Sequence, residues 1–116
     1  MRRFGIIGLG VLLAAGAAIA AEQASNVTGE VVDTFCYATM GAKGAGHKQC
    51  GVDCAKKGIP VGLAEKGTDK LYVLLPNKDK TALPDDVINR MGETVTITGR
   101  AETKGGSNFL TVESVK

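Results

Sequence analysis

Thr94-Val95-Thr96-Ile97-Thr98-Gly99-Arg100 (TVTITGR) switches between small or apolar and polar residues at every step. A period of two puts Val95, Ile97 and Gly99 on one face of a strand and Thr94, Thr96, Thr98 and Arg100 on the other, which predicts a half-buried strand. This places the chain in the mostly-β class, and the segments around it are read from that anchor. Upstream, Pro84, Asp85 and Asp86 open a short helix whose apolar face is Leu83, Val87, Ile88 and Met91 and which Gly92 closes. Met91 reads as core. Further back, Leu71–Leu75 (LYVLL) and Ile59–Leu63 read as a hairpin across a turn containing Gly67, followed by a solvated loop at Asn77-Lys78-Asp79-Lys80. Downstream, Gly105-Gly106-Ser107-Asn108 turns the chain into a last strand, Phe109 to Val115.

The remaining strand, Val27 to Phe35 (VTGEVVDTF), is rich in β-branched residues and runs into a glycine-rich stretch, Gly41 to Gly46. His47 to Lys57 then reads as a helix, because Lys56 and Lys57 complement its C-terminal dipole, Gly58 suits the C′ position and Pro60 stops continuation. The expected fold is mostly β with short helices: a five-stranded OB-like barrel, with a helical Cys/His insertion between strands 1 and 2 and a helix between strands 3 and 4.

The extreme N-terminus reads differently. Met1-Arg2-Arg3 followed by the apolar run from Phe4 to Ile19 and by Ala18-Ile19-Ala20 has the layout of a secretory signal, so residues 1–20 are set apart from the fold. The run is shorter than the ~20 apolar residues of a span and rich in Gly and Ala, so no membrane anchor is expected after cleavage. Residues 21–26 read as a flexible tail and 27–116 as a single OB-like domain, exported to the periplasm or beyond. Without Arg2 and Arg3 the 14 Lys and Arg fall to 12, equal to the 12 Asp and Glu. A neutral chain without Trp lacks the cationic stripe and stacking platform that nucleic-acid binding requires.

With its signal sequence, the opening Val27-Thr28-Gly29-Glu30-Val31-Val32-Asp33 and the closing Thr94–Arg100, the chain resembles the small exported bacterial OB-fold proteins. That resemblance covers most of the mature chain. It implies a stress-associated or ligand-binding module rather than an enzyme, and the Cys/His insertion departs from the family pattern.

Chemistry concentrates in that insertion. Cys36, His47, Cys50 and Cys54 are all the cysteines and the only histidine of the chain. On a helix Cys50 and Cys54 stand one turn apart on one face, with His47 within about 60° of them. Cys36, at the end of the first strand, completes a Cys3His set suited to Zn(II) as a structural ion or to Cu(I) through its soft sulfurs. Regular helix would separate His47 from Cys54 by ~10.5 Å along the axis, so His47 is expected at or before the N-cap, where Gly44 and Gly46 free the backbone. Met40 is a possible thioether donor or an ordinary loop methionine, and Asp33 or Asp53 can be solvated or orient a ligand.

The competing reading is a disulfide from Cys36 to Cys50 or Cys54, leaving a spare thiol in a domain that binds a periplasmic protein or other ligand, with Tyr37 and Tyr72 on the binding face. A third is a thiol redox protein with Cys50, near a helix N-terminus and beside His47, as the attacking thiol. Asp85 and Asp86 are explained as helix N-terminal charges, and no phosphate loop or serine nucleophile motif suggests an enzyme.

Overall fold

The computed structural model describes residues 24–116. The expected signal segment, residues 1–20, and the first residues of the expected tail lie outside that range. Ser25–Asp33 form strand β1, with Val27 and Val31 turned into the core and Thr28 outward, as β-branched alternation dictates. β1 thus starts two residues earlier than expected: Ser25 and Asn26 pair with Gly99 and Thr98, and Thr98 Oγ1 donates to Asn26 Oδ1 at 2.7 Å. Those partners are what convert an anticipated tail into strand.

After β1 come helix α1 (Thr34–Met40), a single 3-10 turn (Ala45–His47) and helix α2 (Lys48–Lys56). Strands β2 (Val61–Glu65) and β3 (Leu71–Pro76) follow, then the short helix α3 (Asp85–Ile88), β4 (Thr94–Gly99), β5 (Ala101–Lys104), β6 (Ser107–Val112) and β7 (Ser114–Val115). The protein is mostly β, as the alternation indicates. α2 and its stop match the reading of Lys56, Lys57 and Gly58, whose φ is 98°. α1 was not expected: Asp33 caps it and overrides the strand preference of Thr34 and Phe35. Pro60, which has no N–H to give a ladder, delays β2 to Val61; its carbonyl accepts instead from Thr34 N and Thr34 Oγ1 at 3.0 and 2.8 Å.

The expectation of a five-stranded barrel requires correction. The sheet has seven strands in the order β5-β6-β3-β2-β1-β4-β7, with β3 and β6 parallel and the other pairs antiparallel. One strand, β5, lies in a segment that no expected strand covered, and one run that read as a single strand is broken. Thr94–Arg100 ends β4 at Gly99, and after Arg100 the chain continues as β5; the final run breaks at Glu113, so that β7 returns to pair with β4. The physical reason for the bend between β4 and β5 is shared service. One run pairs with β1 before Arg100 and with β6 after it, and the backbone must turn between the two partners. Thr111 N donates to Arg100 O at 3.0 Å at that corner. Since β4 and β5 are covalent neighbours yet lie near opposite ends of the strand order, the sheet coils around its core.

Val31, Leu63, Val87, Ile97 and Leu110 are fully buried inside the coil, and Met91 joins them from the turn after α3. Each such aliphatic side chain contributes about 1.5–3 kcal/mol by leaving water. Val52 and Ala55 of α2 pack on the same cluster, which fixes the insertion against the end of the sheet.

Candidate metal centre

Asp33, the last residue of β1, organises the site. Its side chain is wholly buried. Oδ1 accepts a hydrogen bond from Cys36 N at 2.8 Å, capping α1, and Oδ2 lies 2.7 Å from His47 Nε2. Burial pushes the Asp33 carboxyl up, but the Cys36 N–H, the His47 ring, the Cys36 thiol and the His47 charge together outweigh it and hold the group below the usual carboxylate range. An ionised Asp33 can only accept, so His47 Nε2 carries the proton and the other ring nitrogen of a neutral imidazole keeps a lone pair. A carboxylate fixing a histidine in this manner is the usual support of a metal-bound imidazole.

The elements bring the cysteines to the same place. Cys36 is buried in the first turn of α1. His47 ends the 3-10 turn and is the N-cap residue of α2, the position its spacing demands; its N–H donates to Gly44 O at 3.0 Å. Gly44 N in turn donates to Glu30 Oε2 at 2.7 Å, tying the loop to β1. Cys50 follows in the first turn of α2 and is exposed, while Cys54, one turn on, is half-buried. Gly51 lets this helix settle so deep. A Cβ there would meet Met91 Cγ at 2.5 Å and Sδ at 2.8 Å, and would come within 3.5 Å of Asp33 Oδ2.

The ligand atoms fall into two overlapping groups. Those of Cys36, His47 and Cys50 all lie within 4.8 Å of one another, and so do those of Asp33, Cys36 and Cys54. Cys36 belongs to both. Among the described residues no group contains His47 together with Cys54, the pair whose axial separation was the difficulty in the sequence. Two sulfurs sharing one tetrahedral ion at Zn–S distances of ~2.3 Å stand about 3.8 Å apart, so side-chain adjustment suffices to close either group. All three cysteines are free thiols here.

Burial, the hydrogen bond to Asp33 and the charge of Asp33 push the Cys36 thiol up to about 12. Burial first, and then the Asp33 charge, raise Cys54 as well. Without a cation the pocket therefore keeps these sulfurs protonated; a cation reverses the balance by taking the place of the protons.

Asp33 is the candidate site residue that the sequence undervalued. A buried carboxylate three residues before Cys36, at the junction of strand and helix, had a signal: an Asp followed by a possible helical turn is a cap. Asp53 is exposed and accepts from Gln49 Nε2 at 2.9 Å. Met40 is exposed at the far end of α1, and Tyr72 is in the core rather than on an open face. Tyr37 is half-buried beside a polar cleft of about 350 Å³ lined by Glu30, Lys43 and Lys66. No family model, curated protein or solved structure matches the chain.

Proposed function

We propose that the protein is a small exported metal-binding module, in which the coiled sheet is the scaffold and Cys36, His47, Cys50 and Cys54 supply the donors for a thiophilic metal, Zn(II) or Cu(I). The observation that carries this reading is the convergence of Cys36, His47 and Cys50 ligand atoms within 4.8 Å, with the buried Asp33 fixing the imidazole. Zinc is favoured by the mixture of thiolate and imidazole, and by a carboxylate close at hand. Kinship with the exported OB-fold proteins belongs to the same proposal and rests on the sequence resemblance of Val27–Asp33 and Thr94–Arg100. So does export, which rests on the N-terminal sequence alone.

A second reading has one observation in its favour. Cys36 lies within reach of both Cys50 and Cys54, so a disulfide to either would staple α1 to α2 and leave a spare thiol for a partner-binding domain. Anaerobic purification followed by native intact mass spectrometry separates the two. Bound metal with three reduced thiols supports the metal centre; a metal-free protein lighter by two hydrogens overturns it in favour of the disulfide.

A further inference from the structure

Cys36 is the only residue common to the two donor groups, and the groups differ in burial. In the outer group Cys50 is exposed and His47 half-buried, whereas in the inner group Asp33 is wholly buried and Cys54 half-buried. A single ion bound by Cys36, His47 and Cys50 would leave Asp33 and Cys54 beside a sulfur that still has lone pairs to give. A thiolate sulfur bridges two ions readily, because one lone pair serves each.

Resting on the metal-binding reading above, we propose that the site is dinuclear: the Cys36 sulfur bridges an outer divalent ion held by His47 and Cys50 and an inner one held by Cys54 and the Asp33 carboxylate. Charge supports two divalent ions of the zinc class over two copper(I) ions. Three thiolates and one carboxylate carry four negative charges, which two divalent cations cancel, while two monovalent cations would leave an uncompensated charge in a largely buried pocket. The donors agree: imidazole and carboxylate suit zinc better than copper(I). The proton balance is explicit, since two Zn(II) displace the three thiol protons to solvent and the imidazole stays neutral. Each ion then has three protein donors, and the outer one, beside exposed Cys50, has a position open to water.

The test is a Zn(II) titration of the full chain as processed by its host, reduced, stripped by chelator and followed by native mass spectrometry. Two ions per chain are expected, falling to one in Cys54→Ala and to one in Cys50→Ala, the latter a change at an exposed position that leaves the core untouched. Saturation at a single ion, or Cys54→Ala still taking two, overturns the dinuclear site while leaving the metal-binding reading standing. Binding of no ion overturns both.

Discussion

Asp33 works twice with one carboxylate, as helix cap and as support for His47, and substitution separates the two duties. Asparagine keeps an acceptor for Cys36 N but loses the charge, so Asp33→Asn should lower zinc affinity roughly 10–100-fold with a modest stability change. Asp33→Ala should lose the cap as well, at about 1 kcal/mol or more. Competition against a chromogenic chelator, with urea unfolding of the metal-free protein, reads both; equal affinity in Asp33→Asn and the parent would remove Asp33 from the metal site. The buried thiol adds a pH signature. The folded protein holds the Cys36 proton up to about 12, while an unfolded thiol releases its proton near 9.0. Between those values the folded state binds more protons, so metal-free stability should fall as pH rises from about 9 toward 12, and Cys36→Ala should flatten the decline. Asp33 acts at the other extreme with the opposite sign: its depressed folded value gives stability above the ordinary carboxylate range that is lost as the solution is acidified through it. The candidate donors were legible because rare soft side chains were concentrated between Cys36 and Cys54. Their division into two groups was not, since it depends on where α1 aims Cys36, and α1 itself is created by a cap hidden in a β-branched run.

Between helix and core the decisive contact is Gly51 against Met91. Gly51→Ala forces a methyl into Met91 Cγ and Sδ, and overpacking of this sort costs about 1–3 kcal/mol. The penalty should shrink in a Met91→Ala background, where the obstruction is gone, although Met91→Ala alone is expected to cost about 2–5 kcal/mol as a cavity. A double-mutant cycle by urea unfolding checks this; additive costs would mean that Gly51 is needed for some other reason. α2 has a second brace at its N-terminus, where Lys48 Nζ and Arg90 Nε reach Glu93 at 2.9 and 3.0 Å. Hydrogen bonds from Lys48 and Arg90 hold the Glu93 carboxyl below its usual range, yet Lys48 is exposed, Arg90 and Glu93 are only half-buried, and water screens the network to a minor contribution. At this scale the sequence was informative wherever periodicity and punctuation agreed, as in α2 with its Gly58 and Pro60, or β4 with Val95 and Ile97. It was silent on Ala101–Lys104, the strand that follows the bend at Arg100. No local pattern shows that the chain resumes there as β5, because the bend is dictated by β1 and β6, which lie elsewhere in the chain.

For the molecule as a whole, the corner at Gly99 decides how the sheet coils. A Cβ at this buried position would run into the Thr111 carbonyl, which is backbone and cannot swing aside as Met91 can. Gly99→Ala should therefore destabilise more than Gly51→Ala, and thermal unfolding followed by circular dichroism compares them; a smaller loss would show that the β4–β6 corner relaxes. Ion binding should couple to the entire coil, since α2 shares the core with β1 and Met91, and zinc at 100 times its dissociation constant should stabilise the protein by about 2.7 kcal/mol if the unfolded chain does not bind. The sheet also keeps the insertion separate from its own register. Asp33 and Val61 face each other across β1 and β2, so everything from Thr34 to Pro60 departs and rejoins at a single rung. An excursion of that geometry can be gained, lost or exchanged without shifting the register of any strand.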